Sequence, residues 1–408
     1  METRSPQNLP VRTKAALALC AVGAERVVAN ELRRLGVVLE ESGFGKLRFR
    51  TDTAGLYRAL MELRAADRVL LEAAFFTAED FDGLFEGTRA VPWEEYIPKG
   101  MGLTVAKVRT NRSRLSAETS IQSVVHKAAA ERLCRAYGMD RLPEPGRSPQ
   151  AAGTAELRVY IEKDRVSLLL DLSGEPLFKR GYRIEGGAAP LRETTAAAIL
   201  LLSGWRRKFP LYDPFCGSGT ILIEAAMYAG DMAPGLGRRF ALEDLLIADA
   251  DAAGALREEL RGRVNFDRII RIAGSDGDVR AVSIARSNLE RALDLALGRV
   301  PRRGIRPETG QGKALPEIRT LPAGEARPLW EAAERGFIVT NPPYGKRMGD
   351  RTAAERTYGE MGELPNRFPG WKIAVITDHP GFESFFGRKA DSCREITNGA
   401  VQSYFYQY

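Results

Sequence analysis

The sequence predicts an α/β protein, with a mostly parallel sheet in its second half and smaller α+β units ahead of it. Three observations point there. Beyond residue 186, short apolar runs alternate with helical patterns, as strands do when laid parallel with helices on both faces. Before residue 173, strands of period two are interleaved with amphipathic helices. The length of 408 residues exceeds what one hydrophobic core usually fills, so two or three domains are expected.

The first unit opens on the apolar run "AALALC". In "GAERVVANELRRLG", Val27, Val28, Leu32 and Leu35 fall at helical spacing and Gly36 suits the C-cap. "GKLRFR" alternates with period two and reads as a strand. "TAGLYRALMELRAADRVLLEAAFF" continues as a helix and then a strand. Residues 79–172 repeat the style. "AEDFDGLFEGTRAVPWEEYI" is a helix ending near Pro92, and "GLTVAKVRT" is strand-like. "SAETSIQSVVHKAAAERLCRAYG" is a long helix with Ser116 as N-cap and Gly138 at its end. His126 within it reads as structural. "AELRVYIEKDRVSLLLDLSG" is a hairpin. An Ala-rich helix follows within 186–205, behind a glycine hinge. The strands "FPLYDPF", "RIIRIAGSD", "GFIVTNPPY" and "WKIAVITD" then alternate with helices, and "NGAVQSYFYQY" closes the sheet after a turn at Asn398 and Gly399. The Pro/Gly/Arg-rich stretch 301–328 is the expected flexible insertion.

Composition narrows the chemistry. Hydrophobic residues make up 44% and charged residues 28%, which fits a globular protein in water. No apolar run reaches the roughly 18–20 residues of a membrane helix, and the first residues carry no apolar signal core, so a cytoplasmic setting is expected. The four cysteines, Cys20, Cys134, Cys216 and Cys393, lack metal-ligand or redox spacing and read as reduced thiols. With only two histidines, His126 and His379, a His-rich metal centre or a Ser-His-Asp site is disfavoured, and no metal is expected. The net charge is +7. Cations cluster over 99–114, 179–192 and 298–313, which suggests phosphate contact; a solvated face is the alternative for any one run.

The strand ends carry the chemistry. "LYDPFCGSGT" sets Asp213 at the end of a strand, then Gly217 and Gly219, then a helix. The glycines permit positive φ and close approach of a ligand, and open α/β sheets bind ligands at the carboxyl ends of their strands. The loop is neither a P-loop nor a full dinucleotide fingerprint, because Leu222 holds the third glycine position. "RIAGSDGD" ends in Asp276, placed to hold a ribose diol, and "LPAGEARPL" offers Glu325 to an adenine amino group. Taken together they suggest a nucleoside cofactor. Helix capping is the alternative for Asp276 and Asp278. In "TNPPYG" two prolines end a strand abruptly and leave the Asn341 amide and the Tyr344 ring at its tip.

"DPFCGSGT", "GSDGD", "GEA" and "NPPYG", in this order, resemble class I S-adenosylmethionine-dependent methyltransferases that act on amino groups. "SGEPLFKRGYR", "AAPLRETTAAAIL" and "APGLGRRFALEDL" are similar to the bacterial 23S rRNA guanine-N2 methyltransferases of the RlmL/YpsC group. "LRAADRVLLEAAFF" and "NRSRLSAETSIQSVVHKA" resemble the ferredoxin-like and THUMP segments of that group. The resemblance covers nearly the whole chain. It implies a Rossmann-like, seven-stranded, mostly parallel sheet over 174–408, preceded by a ferredoxin-like domain over 14–68 and a THUMP RNA-binding domain over 69–173. It implies S-adenosyl-L-methionine as cofactor, held by Thr194, Asp213, Phe215, Gly217, Ser218, Gly219, Asp276, Glu325 and Asn341. It implies catalysis by Asn341, Pro342, Pro343 and Tyr344. The Asn341 oxygen and the Pro342 carbonyl would accept the two amino hydrogens, orienting the nitrogen lone pair and stabilising its growing charge, while Tyr344 stacks on a base withdrawn from its helix.

The expected RNA contacts are Arg109, Arg112, Arg114, Lys179, Arg180, Arg183, Lys346 and Arg347. Two positions depart from the group: Glu325 stands where Asp is usual, and Lys346 where an acid is expected. The implied activity is methylation of guanine N2 in 23S rRNA. A tRNA guanine-N2 methyltransferase is one alternative, and an RNA-binding ribosome assembly factor with a decayed enzyme domain is another. A DNA adenine methyltransferase shares "NPPY" but not the N-terminal domains.

Overall fold

The computed structural model describes residues 13–143, 153–183, 191–269, 271–299, 315–330, 335–345 and 348–408. In the N-terminal half the chain runs β1 (Lys14–Cys20), α1 (Glu25–Arg34), β2 (Val38–Gly43), β3 (Lys46–Thr51), α2 (Thr53–Glu62) and β4 (Ala66–Thr77). It continues through α3 (Phe81–Ala90), β5 (Gly102–Asn111), α4 (Glu118–Tyr137), β6 (Thr154–Glu162) and β7 (Arg165–Asp171). The helices follow their local signals. Asp52 caps α2 by accepting the Gly55 N–H at 2.7 Å, and Asp80 caps α3 through Gly83 at 2.8 Å. Gly36 takes φ +74° just past α1.

Two local expectations change. Ala117, not Ser116, is the N-cap residue of α4, with no side-chain cap. Leu115 is buried and its carbonyl accepts the Thr110 hydroxyl, which fixes the chain's entry and moves the helix start one residue on. β2 is an edge strand with no apolar alternation, so the sequence pattern did not mark it.

All seven strands belong to one sheet, in the order β2-β3-β1-β4-β7-β6-β5. The long strand β4 pairs with β1 on one side and β7 on the other. The boundary expected between residues 68 and 69 therefore falls inside a strand, and the two α+β units share one backbone ladder.

The C-terminal half contains α5 (Glu193–Leu202), β8 (Leu211–Asp213), α6 (Thr220–Ala229), α7 (Ala250–Gly262), β9 (Ile272–Asp276) and α8 (Val279–Ala296). After these come β10 (Glu317–Thr320), β11 (Phe337–Thr340), α9 (Met348–Met361), α10 (Leu364–Arg367), β12 (Lys372–Thr377), α11 (Phe382–Phe386), β13 (Ser392–Asn398) and β14 (Val401–Gln407). This second seven-stranded sheet has the order β10-β9-β8-β11-β12-β14-β13. Its first five strands are parallel, and β14 joins β12 and β13 antiparallel. The expected parallel sheet with a closing strand is present. One expectation narrows: 317–320 is an edge strand, and residues 301–314 of the expected insertion lie outside the described residues.

The chain winds outward from β8 to β10, then returns to β11 on the other side of β8. That reversal opens a crevice at the carboxyl ends of β8 and β11. α6 is buried on nearly all sides, as its apolar sequence requires. Gly274 lets it sit close: a Cβ there would lie 2.6 Å from Leu222 Cδ1 and 2.7 Å from the Asp213 carbonyl.

The two halves are in contact. Gly235 N–H donates to the Met61 carbonyl at 2.9 Å, and Thr397 N–H to the Val22 carbonyl at 3.1 Å. No described helix is long and apolar enough to cross a membrane.

Candidate active site

The crevice is built from the ends of neighbouring strands. Tyr212 of β8 pairs with Ile338 of β11, so Asp213 and Thr340 emerge side by side. Thr340 Oγ1 donates to Asp213 Oδ1 at 2.6 Å, and the Phe215 N–H donates to the same oxygen at 3.1 Å. Asp213 is 1% exposed. Burial raises its carboxyl to about pH 7, against the opposing bonds from Thr340 and Phe215, and the neighbouring Asp276 charge adds to the rise. Asp213 is thus a clasp between strands.

The glycine turn follows at once. Gly217 and Gly219 have φ +50° and +85°. A Cβ at Gly217 would meet nothing within 4 Å, so this backbone faces open space, whereas one at Gly219 would press on Ala285 of α8 at 3.0 Å. Gly217 N–H donates to Asp276 Oδ2 at 2.9 Å, and Asp278 N–H to Asp276 Oδ1 at 2.9 Å. Each carboxylate oxygen retains a lone pair for a hydroxyl. The cap of α8 is Asp278, which accepts the Arg280 N–H. The capping alternative therefore applies to Asp278, and Asp276 is left holding the turn against β9. Asn288 Nδ2 secures the turn further through the Ser218 carbonyl at 3.1 Å. Glu325 is exposed in a short turn beyond β10. Asp213, Asp276 and Glu325 therefore follow three adjacent strands in sheet order. Phe215 is half-buried and packs against the aromatic cluster that includes Tyr212 and Phe368.

Asn341 stands one residue beyond the clasp. Its Oδ1 is buried and has no hydrogen-bond partner among the described residues. Such an atom is costly unless a donor arrives. Tyr358 of α9 holds the loop: its hydroxyl donates to the Pro343 carbonyl at 2.7 Å and lies 3.1 Å from Thr377 Oγ1 of β12. Pro342 is buried and Pro343 exposed. Tyr344 is half-buried, its hydroxyl lies buried near Ser403 and Asp378, and burial pushes its pKa up. The residues present fit a nucleoside cofactor with an amino acceptor beside it: an open glycine turn, a carboxylate with spare lone pairs and an orphaned amide oxygen.

Other expected residues are placed differently. Thr194 is buried and its hydroxyl donates to Asp67 of β4 at 2.5 Å, across the two halves. Arg180, expected to touch RNA, is 3% exposed. It donates to the Leu177 carbonyl at 2.7 Å and to the Arg64 carbonyl at 2.5 Å, and faces Glu224 at 3.4 Å. It is a structural cation in the interior. Arg183 is likewise committed, donating to Thr220 Oγ1 at 2.7 Å and the Leu191 carbonyl at 3.0 Å beside Glu193. Arg180 is not available to a phosphate, because a guanidinium already bonded and buried has no free face; Arg183 is half-buried and held beside the glycine turn's helix. Lys179 is exposed and pairs with Glu175. Arg109 and Arg112 are exposed without partners among the described residues, and Arg114 pairs with Glu79. Lys346 and Arg347 lie outside the described residues. His126 Nε2 sits 3.2 Å from the Leu103 carbonyl, a structural contact. Sequence reasoning missed Thr340, Tyr358, Thr377 and Asn288. Only Thr340 had a nearby signal, its place in "TNPPY".

Known proteins bear on this site. A family model described as "RMKL-like, methyltransferase domain" matches residues 180–295 and 314–406, and one described as "RlmL ferredoxin-like domain" matches residues 16–70. "Putative RNA methyltransferase YpsC" of Bacillus subtilis is 36% identical over 96% of this chain and 95% of its own length. "Ribosomal RNA large subunit methyltransferase K/L" of Cellvibrio japonicus is 34% identical over 95% of this chain, which spans 50% of that protein. The solved structure of SMU.472, complexed with SAH, superposes with a TM-score of 0.82 at 34% identity, covering 97% of this chain and 98% of that one. The chain therefore belongs to the RMKL-like methyltransferase family, with a ferredoxin-like segment ahead of a domain that uses S-adenosylmethionine.

Proposed function

We propose that this protein transfers a methyl group from S-adenosylmethionine to the exocyclic N2 amino group of a guanosine in 23S rRNA, in the cytoplasm. The observation that carries the chemistry is the buried Asn341 Oδ1, unpartnered among the described residues and one residue from the clasp that joins it to the glycine turn. The names of the relatives, an RNA methyltransferase and a large-subunit rRNA methyltransferase, support the substrate.

When bound, the cofactor supplies a methyl group on a cationic sulfur. Gly217 allows its close approach and Gly219 lets the turn pack on α8, Phe215 and Ser218 flank it, Asp276 receives the ribose hydroxyls and Glu325 the adenine. Asn341 Oδ1 accepts one amino hydrogen of the base and the Pro342 carbonyl the other. That aims the nitrogen lone pair and stabilises positive charge as it grows. The bond from Tyr358 to Pro343 fixes the loop so that the two acceptors converge. The ring of Tyr344 stacks on the base. Residues 69–173 act as the THUMP-like grip on RNA, with Arg109 and Arg112 on its surface, ahead of a catalytic domain over 174–408.

The test is methylation by the purified full chain of deproteinised 23S rRNA and of tRNA, read by nucleoside mass spectrometry. N2-methylguanosine in 23S rRNA is expected. Label confined to tRNA, or on another base, overturns the assignment. Asn341→Ala should abolish turnover and leave affinity for S-adenosylhomocysteine within a few fold.

A further inference from the structure

A cavity of about 300 Å³ lies between the two halves, lined by α1, α2, the end of α6 and the turn before β8. It is separate from the active site. α6 begins at the glycine turn, and Tyr228, at its far end, is about two turns or roughly 12 Å away along the axis.

Five arginines face three carboxylates here, and the carboxylates are already engaged. Glu62 and Asp231 are bridged by Arg263, at 2.8 and 3.2 Å, and Glu62 also binds Arg58 at 3.1 Å. The Glu31 carboxylate receives the backbone N–H groups of Arg64 and Ala65 at 3.0 and 3.1 Å. Three guanidinium groups remain underpaired. Arg64 is 8% exposed; its Nη2 donates to the Met232 carbonyl at 2.8 Å, but its Nη1 has no acceptor among the described residues. Arg207 lies 4.4 Å over the Tyr228 ring and reaches Asp231 only at 3.7 Å. Arg34 is exposed without a partner among the described residues. Arg64 is buried with an unsatisfied Nη1, and the cleft gathers five guanidinium groups around three carboxylates, an imbalance that an anion offsets; guanidinium forks suit phosphate oxygens.

We propose that this cleft is a binding site for a phosphate group, held by Arg34, Arg64 and Arg207 across both halves of the molecule. The group belongs to an RNA backbone or to a free phosphorylated small molecule. Inorganic phosphate is the probe, titrated into the full chain by calorimetry at fixed ionic strength. One saturable site is expected, weakened about tenfold or more in the R34Q/R207Q double variant and unchanged in Arg141→Gln, a surface cation elsewhere. Arg34 is exposed and makes no hydrogen bond or ion pair among the described residues, so Arg34→Gln alone keeps the fold and should weaken binding in the same direction. Displacement of phosphate by a single-stranded RNA oligonucleotide supports the site with the RNA backbone as source; its failure to displace supports it with a small molecule as source. No saturable binding, or equal loss in R141Q and R34Q/R207Q, overturns the proposal and leaves a purely structural ion network.

Discussion

Thr340 Oγ1 donates to Asp213 Oδ1 across 2.6 Å, joining residues 127 positions apart at the tips of the two central strands. The glycine turn continues from one tip and the Asn341 amide from the other, so a single buried bond fixes the distance between cofactor turn and amino acceptor. Thr340→Val keeps the shape and removes the donor. A buried carboxylate deprived of a hydrogen bond costs about 1–3 kcal/mol. The variant should show a lowered urea midpoint and a turnover loss larger than its loss of S-adenosylhomocysteine affinity. Unchanged stability would mean the clasp holds nothing.

The same carboxylate sets a pH dependence. Burial lifts Asp213 from 3.8 to about 7 in the folded protein. The folded state then holds the proton more tightly than the unfolded chain. Its contribution is complete below pH 4 and is lost as pH rises toward 7, with an amplitude on the order of 4 kcal/mol. Asp213→Asn should flatten that decline. Urea midpoints of the two proteins between pH 4.5 and 8 supply the check, and parallel curves would place the ionisation elsewhere.

Asp276 holds the Gly217 N–H and retains a lone pair on each oxygen. Asp276→Ala removes both the turn's anchor and the ribose acceptor. Charge-assisted bonds of this kind are worth about 1.5–3 kcal/mol each. Calorimetry should show S-adenosylhomocysteine affinity falling about a hundredfold, and the melting temperature should also fall because the two backbone bonds to Asp276 are lost. Retained affinity would remove Asp276 from the cofactor site.

Tyr358 reaches the catalytic loop from α9 through its hydroxyl on the Pro343 carbonyl. Tyr358→Phe leaves the ring packed against Phe382 at 5.0 Å and frees the loop. About 1–2 kcal/mol of positioning is at stake, so turnover should fall roughly tenfold at unchanged cofactor affinity. An unaltered rate would show that the two prolines alone hold the loop.

What the sequence revealed and what it hid divide along physical lines. Strand ends were legible because acid, glycine pair and double proline break periodicity at fixed places, as in "YDPFCGSGT" and "VTNPPY". The parallel sheet was legible because β11 and β12 are apolar along their buried spans up to the terminal threonines, Thr340 and Thr377. β2 was not, since an exposed edge strand needs no apolar alternation. The shared ladder through β4 was not, because strand pairing is a long-range choice that local pattern does not record. Arg180, one of the clustered cations at 179–183, lies in the interior for a related reason. Charge runs predict exposure on average, whereas Arg180 meets a carboxylate, Glu224, that arrives from a helix 44 residues on.

That pairing yields the sharpest contrast among the arginines. Arg180 is 3% exposed and Glu224 is 1% exposed. Arg180→Met leaves the Glu224 carboxylate in the interior without its cation, and breaking a buried pair in this way costs about 3–5 kcal/mol. Thermal melting should drop sharply, and any loss of RNA binding should follow the folded fraction. Arg109 and Arg112 lie on the surface without described partners. Replacing both with Ala should leave melting unchanged. RNA affinity should weaken, and the slope of log affinity against log salt should fall by about 0.7 for each single-strand phosphate no longer neutralised. If R180M instead melted normally and bound RNA poorly, Arg180 would have to reach the surface in solution, and the ion pair with Glu224 would not be what holds it in the interior.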